Sequence, residues 1–209
     1  MSKSFSTFML HPWHGIDVHE KSPETVNAFI EIVPSDTVKY EIDKKSGILK
    51  VDRPQKFSNV VPALYGFIPK TYCGNEVAKH CMKKTKKKNI KGDGDPLDIC
   101  VLSERVIPHG NIIVQAIPVG GLRMIDKNEA DDKIIAVMKD DAVYGQITDI
   151  SQLPEMLVKR LQHYFLTYKN MPGEKNRIVE ITHTYTAKEA KEIIGCSLED
   201  YRKMVKEGK

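Results

Sequence analysis

The stretch Gly92-Asp93-Gly94-Asp95-Pro96-Leu97-Asp98, followed directly by Ile99-Cys100-Val101-Leu102, joins a turn rich in carboxylates to an apolar strand. Residues two apart share a face in extended backbone, so Asp93 and Asp95 point the same way, and Pro96 re-aims Asp98. Carboxylates this close disfavour the compact state, and divalent cations remove that cost. Ligation by oxygen alone favours Mg²⁺, Mn²⁺ or Ca²⁺ over zinc. This acidic loop, residues 93–98, therefore predicts a site for hard cations.

Two other interpretations of the acidic loop compete with the predicted cation site. Asp, Gly and Pro are common turn residues, so the loop alone is compatible with a solvated turn. A calcium loop is the second alternative, because Asp93, Asp95 and Glu104 occupy positions one, three and twelve of an EF-hand. Position six, where the EF-hand needs glycine, is Asp98, and no pair of helices flanks the segment, so the sequence excludes a calcium loop.

A second acidic turn, residues 126–133, lies between two strand-like runs and contains Asp126, Glu129, Asp131, Asp132 and Lys133. Alone it is typical of a charged hairpin. Together with the acidic loop it supplies carboxylate oxygens for several cations a few Å apart, an arrangement that clamps the attacking and leaving oxygens in phosphoryl transfer. Such a site predicts a polyanionic substrate, held by basic side chains near the strands. Candidates for this role are Lys39, Arg53 and Lys169.

The composition fits one compact domain covering residues 1–209, with 41% apolar and 29% charged residues. Its formal charge of +4 is a local feature, because six lysines lie between Cys81 and Gly92. No stretch approaches the roughly 18 consecutive apolar residues of a membrane span, and the first 15 residues lack the apolar core of a secretory signal. The four cysteines lack a paired zinc spacing. We therefore expect a cytoplasmic protein with no membrane contact.

The hydrophobic pattern predicts strands first and helices later, which indicates an α+β domain built on a small closed or curved antiparallel barrel. The predicted strands cover residues 28–33, 38–42, 48–51, 98–102, 111–119, 122–125, 133–137 and 177–182. The second and third strands form a hairpin, and Gly120-Gly121 forms a turn. An arm of about residues 1–25 precedes the strands. Residues 72–91 match neither period, so we expect an exposed lysine-rich insertion.

Two helices are predicted in the last third of the chain. Apolar residues at three- and four-residue steps predict a helix that starts near Pro154 and ends near Met171. A second helix opens at Thr186, which has capping-box spacing to Glu189. This helix is expected to restart at Ser197, after Gly195.

Seven blocks of the sequence resemble the family I soluble inorganic pyrophosphatases, over a region from about Ala28 to Lys169. These blocks are Phe29-Ile30-Glu31-Ile32, Lys39-Tyr40-Glu41-Ile42-Asp43, Val51-Asp52-Arg53, Tyr65-Gly66-Phe67-Ile68, Asp93 to Asp98, Asp126 through Asp131 to Lys133, and Tyr168-Lys169. The resemblance implies an OB-like closed antiparallel β-barrel with flanking α-helices. It also implies Mg²⁺-dependent hydrolysis of pyrophosphate to two orthophosphates by a metal-activated water, without a covalent intermediate. Mn²⁺ is a possible substitute cation, and a homo-oligomer is expected.

The resemblance assigns roles residue by residue. The implied metal ligands are Asp93, Asp98 and Asp131 for the tightest cations, with Asp98 bridging two, and Asp126 and Glu31 for the cations that arrive with substrate. Asp95 matches the general base. The positions implied on the phosphate side are Lys39, Arg53, Tyr65, Lys133, Tyr168 and Lys169, of which Lys39, Arg53 and Tyr65 also count as catalytic. Glu41 belongs to the supporting acidic shell.

The chain departs from the family pattern at two places, and two alternative functions stay open. Val61 stands where many bacterial members have a tyrosine, and the loop between Ile68 and Asp93 is longer than in short bacterial members. A metal-dependent hydrolase of nucleotides or longer polyphosphates shares the same chemistry and differs in pocket size. An OB-type binder of single-stranded nucleic acid is less favoured, because the acidic turns repel phosphate backbones and the lysine run lacks interleaved aromatics.

Overall fold

The computed structural model describes residues 10–56, 58–169 and 179–208, and it has the predicted α+β architecture. The strands are β1 (Val26–Ile32), β2 (Val38–Ile42), β3 (Leu49–Pro54), β4 (Leu64–Phe67), β5 (Lys91–Gly92), β6 (Asp98–Leu102), β7 (Ile112–Asp126), β8 (Glu129–Ala130), β9 (Lys133–Met138) and β10 (Val179–Thr186). The helices are α1 (Asn75–Thr85), α2 (Glu155–Thr167) and α3 (Ala187–Lys206), and a 3-10 turn covers Ile150–Gln152.

The main sheet follows the order β1-β4-β6-β9-β7, and β1 also pairs with β7. Strand β10 pairs with β7, and the short strands β8 and β5 extend the sheet beyond β7. Strands β6 and β9 pair in parallel, so the prediction of a wholly antiparallel sheet is wrong. The long connection between them, which includes β7, provides the crossover that a parallel pair requires. The predicted hairpin is confirmed, because β2 and β3 form a separate two-stranded antiparallel sheet.

Gly120 and Gly121 lie inside the continuous strand β7, so the predicted turn at this place is wrong. Both glycines are needed because β10 approaches closely. A Cβ atom on Gly120 would lie 2.5 Å from the backbone oxygen of Tyr185, and one on Gly121 would lie 2.3 Å from the Tyr185 hydroxyl. Glycine here serves close packing within a strand.

Part of the lysine-rich segment forms the packed helix α1, which corrects the expected exposed insertion over residues 72–91 for residues 75–85. Lys86, Lys87, Lys88 and Lys91, which follow the helix, are exposed as expected. Val77, Ala78 and Cys81 of α1 are buried, and Val77 and Cys81 belong to the cluster that also contains the inward side of α3. Lysines cover the remaining face of α1. The low share of apolar residues hid this amphipathic pattern, since three buried positions suffice to anchor an eleven-residue helix.

Helix α3 runs without a break through Gly195 and Ser197, so the predicted restart is wrong. The Ser197 hydroxyl donates to the Ile194 carbonyl oxygen at 2.8 Å and thus bonds within its own helix. The predicted capping box is also absent in the described α3, because the Thr186 side chain makes no cap hydrogen bond and Glu189 pairs with Arg123. Helix α2 ends at Thr167, and the expected helix end near Met171 lies outside the described residues.

The expected arm covers about residues 1–25, of which the structure describes residues 10–25. This described part is packed onto the fold through Trp13 and Ile16, so it is not a free arm. Trp13 and Ile16 are buried with Phe29, Phe67 and Met204 in one cluster. The Trp13 indole N–H donates to the Thr71 carbonyl oxygen at 2.7 Å. Within residues 10–56, 58–169 and 179–208, none of the helices has the length and apolar character needed to cross a membrane.

Replacing Gly121 with alanine tests the close packing of β7 and β10. G121A is expected to lower the free energy of unfolding by about 1–3 kcal/mol, because the new methyl group overlaps the buried Tyr185 ring. G195A is the matched control, since no atom lies within 4 Å of its Cβ position and alanine favours a helix by up to about 1 kcal/mol. Urea unfolding measures both changes. A G121A midpoint equal to that of wild type would contradict the packing.

Candidate active site

A cavity of about 240 Å³ brings together every side chain to which the family resemblance assigns a role. These side chains are Glu31 from β1; Lys39, Glu41 and Arg53 from the β2–β3 hairpin; Tyr65 from β4; Asp93, Asp95 and Asp98 from the acidic loop; Asp126, Asp131 and Lys133 from the second acidic turn; and Tyr168 and Lys169 after α2. Residues far apart in the chain therefore meet at one place. Asp132 of the second acidic turn does not line the cavity.

The acidic loop is held by hydrogen bonds to the segment that follows β4. The Thr71 hydroxyl is buried, accepts a hydrogen bond from the Leu97 N–H at 2.9 Å and donates to the Ile68 carbonyl oxygen at 2.5 Å. The Cys73 N–H donates to the Asp95 carbonyl oxygen at 2.8 Å. The turn itself is closed by the Asp95 N–H, which donates to Asp93 Oδ1 at 2.9 Å. These bonds fix the backbone from which the loop carboxylates project.

The two acidic segments meet at Lys133. Its buried ammonium group contacts both Asp98 and Asp131, and the parallel pairing of β6 with β9 places Asp98 beside Lys133. The Tyr65 hydroxyl donates to Asp98 Oδ2 at 2.6 Å. Burial lowers the pKa of a lysine, but here the charges of Asp131 and Asp98 raise the pKa of Lys133 well above its ordinary value. Lys133 is therefore a permanent positive charge between two carboxylates.

The strands of the β2–β3 hairpin contribute two basic side chains to the cavity. Lys39 and Arg53 are register partners across the hairpin. Lys39 Nζ lies 2.9 Å from Glu41 Oε2 and 3.0 Å from Asp52 Oδ2, and Arg53 also contacts Asp52. Glu41 and Asp52 thus hold the charged ends of the Lys39 and Arg53 side chains at the cavity.

The segment after α2 adds a third group of polar side chains. Lys169 pairs with Asp126, and its ammonium lies 5.2 Å from the centroid of the Tyr168 ring. Tyr168 stacks on Tyr164 with ring centroids 5.3 Å apart, which fixes the orientation of its phenol. An acidic, a basic and a phenolic group thus line the same wall.

Burial controls the ionisation of several of these carboxylates. It raises the pKa of Glu31 to about 8, although the Ile42 N–H donates to Glu31 Oε1 at 2.7 Å and favours the charged form. Burial and the neighbouring charges of Asp131 and Asp98 raise the pKa of Asp93 well above its usual range. Burial also raises the pKa of Asp131, despite the opposing charge of Lys133. The charged forms of these carboxylates therefore lack enough nearby positive charge to offset their burial.

The donor chemistry of the cavity fits hard divalent cations. Its lining, which also includes Glu129 and Lys44, contains eight acidic side chains against five basic ones. Asp126 Oδ1 is buried and has no hydrogen-bond partner among the described residues. In residues 10–56, 58–169 and 179–208, no three acidic, histidine or cysteine side chains form a preformed ligand set, and the Lys133 ammonium lies between Asp98 and Asp131. Oxygen donors in this excess suit Mg²⁺ or a similar ion.

Lys44 is a lining residue that the sequence analysis missed as a site candidate. It lies in the turn of the β2–β3 hairpin, contacts Asp95, and its ammonium is 3.5 Å from the Gly94 carbonyl oxygen. The turn signal at residues 43–47 gave no indication of what the lysine faces. Val61, the residue that departs from the family pattern, is fully buried and does not belong to the described lining.

A model of the inorganic pyrophosphatase family matches residues 28–202. The chain belongs to the inorganic pyrophosphatase family. This membership confirms the family identified from the sequence motifs and, with it, a metal-dependent enzyme that hydrolyses inorganic pyrophosphate. Hydrolysis of nucleotides or longer polyphosphates and binding of single-stranded nucleic acid are not favoured.

Relatives from distant organisms support the same conclusion. The inorganic pyrophosphatase of Chlamydia trachomatis is 53% identical over 195 residues, which cover 91% of this chain and 93% of that protein. Soluble inorganic pyrophosphatase 3 of Arabidopsis thaliana is 37% identical over 180 residues, which cover 86% and 74% of the two chains. The crystal structure of the Thermus thermophilus inorganic pyrophosphatase matches with a TM-score of 0.77 at 31% identity, and the match covers 92% of this chain and 99% of that one.

Replacing Thr71 with valine tests whether its hydroxyl holds the acidic loop. T71V keeps the shape but leaves the buried Leu97 N–H without its acceptor, so we expect a loss of about 1–3 kcal/mol in the free energy of unfolding and a lower kcat. T85V is the control, because the Thr85 hydroxyl donates to the Cys81 carbonyl oxygen of its own helix and, among the described residues, accepts only from the exposed Lys87 N–H, at 3.3 Å. Urea unfolding and phosphate release measure the two effects. Wild-type stability and kcat in T71V would refute this role.

The raised pKa of Glu31 predicts a pH-dependent stability of the cation-free protein. Between pH 5 and 8 the folded state retains a proton that the unfolded state, with an ordinary glutamate pKa of 4.5, releases. The free energy of unfolding therefore falls as the pH rises, by an amount on the order of a few kcal/mol over this range. E31Q should flatten the decrease, whereas E24Q, at an exposed position, should not. Urea unfolding in EDTA measures the slopes, and equal slopes in E31Q and wild type would contradict the assignment.

Proposed function

We propose that the cavity hydrolyses pyrophosphate by attack of water, with its carboxylates holding divalent cations and its basic side chains holding the phosphates. The observation that carries this proposal is the composition of the lining, in which eight acidic side chains face five basic ones. Pyrophosphate is itself a polyanion, so a cavity with excess negative charge binds it only together with cations. The basic side chains then contact the phosphate oxygens directly.

Asp93, Asp98 and Asp131 would hold the tightest cations, and Asp126 and Glu31 would hold those that enter with substrate. We propose Mg²⁺ as the cation, with Mn²⁺ as a possible substitute, because both favour oxygen ligands. When bound, such cations supply Lewis acidity that polarises phosphoryl oxygens and makes water more acidic. The unpartnered Asp126 Oδ1 and the raised pKa values of Asp93 and Asp131 support this assignment.

Asp95 is the proposed general base. Its side chain is about half exposed and lines the cavity beside Lys44. Its backbone is fixed by hydrogen bonds to Cys73 and Asp93, so the carboxylate has a defined position. Asp95 takes one proton from the attacking water while the oxygen of that water bonds to phosphorus.

The basic and phenolic side chains are the proposed phosphate ligands. Lys39, Arg53, Tyr65, Lys133, Tyr168 and Lys169 donate to phosphate oxygens, and Glu41 orients Lys39. As the bridging P–O bond breaks, the leaving phosphate gains negative charge, which these donors stabilise. Carboxylates, ammonium groups, a guanidinium and phenols suit proton transfer and charge stabilisation. We therefore propose direct attack by water, without a covalent enzyme intermediate.

Three further features of the proposed enzyme concern its architecture and environment. The pairing of β1 with both β4 and β7 supports an OB-like closed barrel with flanking helices. The four cysteines are free thiols, which supports a reducing, cytoplasmic location. Homo-oligomeric assembly stays a prediction from the family resemblance.

Two isosteric substitutions separate the proposed base from the proposed cation ligands. D95N should lower kcat about 10²–10⁴-fold, the usual contribution of a general base, and leave Mg²⁺ affinity unchanged. D98N should weaken Mg²⁺ binding by at least the roughly 10–100-fold that loss of a supporting residue costs. Calorimetry with Mg²⁺ and phosphate release from pyrophosphate measure these effects. Wild-type turnover in D95N would remove Asp95 from the mechanism, and wild-type Mg²⁺ affinity in D98N would refute the cation site.

A further inference from the structure

A buried ion pair lies directly behind the cavity. The Arg123 and Asp132 side chains are both fully buried, with Arg123 Nε 3.0 Å from Asp132 Oδ1. Neither residue belongs to the lining of the cavity. Removing two charges from water costs free energy that their attraction often fails to recover, so such a pair is weak evidence for a role in stability.

Asp132 is the middle residue of a triplet whose outer members face the cavity. Asp131 and Lys133 line the cavity and contact each other, whereas Asp132 contacts Arg123 on the other side of the backbone. The Asp131 N–H donates to the Met124 carbonyl oxygen at 3.0 Å, which ties the triplet to β7 next to Arg123. Any rotation that released Asp132 would move the two lining side chains as well.

Arg123 is in turn fixed from its own side. Its Nη2 lies 2.9 Å from Glu189 Oε1 on α3, and its guanidinium lies 5.3 Å from the centroid of the Tyr185 ring. Glu189 Oε2 is 3.0 Å from the Lys84 ammonium of α1. Charges of alternating sign thus run from the lysine-rich helix through Glu189 and Arg123 to Asp132.

We propose that Arg123 and Asp132 are positioning residues that set the direction of Asp131 and Lys133 in the cavity, and thereby the affinity for the divalent cation. This inference rests on the proposed function, in which Asp131 is a cation ligand. Supporting residues behind metal ligands commonly change metal affinity about 10–100-fold when they are lost. The sequence motifs include Asp132 only as a member of the second acidic turn, and neither they nor the family resemblance points to Arg123.

The double variant R123M/D132L tests the proposal, because it removes both charges of the buried pair, and Glu189 keeps its contact with Lys84. We expect its Mg²⁺ affinity, measured by calorimetry on EDTA-treated protein, to fall about 10–100-fold. The Mg²⁺ concentration for half-maximal pyrophosphate hydrolysis should rise by the same factor, and kcat should recover at saturating Mg²⁺. Wild-type Mg²⁺ affinity and wild-type Mg²⁺ requirement in a folded double variant would overturn the proposal.

A second pair of variants decides the question if the double variant does not fold. E189Q weakens the support of Arg123, whereas E192Q, on the same helix, changes a residue that contacts Lys84 at 3.6 Å and is not among the described partners of Arg123. Weaker Mg²⁺ binding in E189Q than in E192Q supports the positioning role. Equal, wild-type affinity in both variants overturns it.

D131N separates failure of this inference from failure of the proposed function. If D131N weakens Mg²⁺ binding and the Arg123 and Asp132 variants do not, only the positioning role is wrong. If D131N retains wild-type Mg²⁺ affinity, the cation site itself is wrong, and the positioning role fails with it.

Discussion

Repulsion among carboxylates is the constraint on which the rest of this structure depends. Asp93, Asp98 and Asp131 come together from two distant segments, and burial raises the pKa of Asp93 and Asp131. The protein compensates with the Lys133 ammonium between Asp98 and Asp131 and with the Tyr65 hydroxyl on Asp98. The strands that deliver these groups are paired with one another, so the sheet resists the separation that repulsion favours. The free energy stored in this arrangement is available to any cation that enters.

The residues of the cavity were predictable because they occur in short segments whose residue types and spacing indicate cation or phosphate binding. Asp93, Asp95 and Asp98 are close in sequence, and Lys39 and Arg53 occupy opposite strands of a hairpin that the turn at residues 43–47 indicates. Their convergence in one cavity followed from the family resemblance rather than from spacing. Lys44 escaped prediction because nothing in a hairpin turn indicates which loop lies across from it.

The features that sequence analysis missed depend on contacts between distant segments. Two adjacent glycines such as Gly120 and Gly121 are typical of a turn. Their place inside a strand is explained by Tyr185 of β10, which leaves no room for a side chain there. The N-terminal segment looked irregular because its structure comes from burial of Trp13 beneath Thr71. The pair of Arg123 and Asp132 shows the same limit, since a charged residue in a strand gives no sign of a buried partner nine residues away.

The separate hairpin sheet has a consequence for how the cavity is built. Strands β2 and β3 hydrogen-bond only to each other among the described strands, whereas the carboxylates project from the main sheet. The link between the two sheets near the cavity consists of side-chain contacts, such as the bond from the Ile42 N–H to Glu31. The distance between the hairpin, which carries Lys39 and Arg53, and the main sheet, which carries the aspartates, can therefore change without breaking hydrogen bonds between the strands of the main sheet.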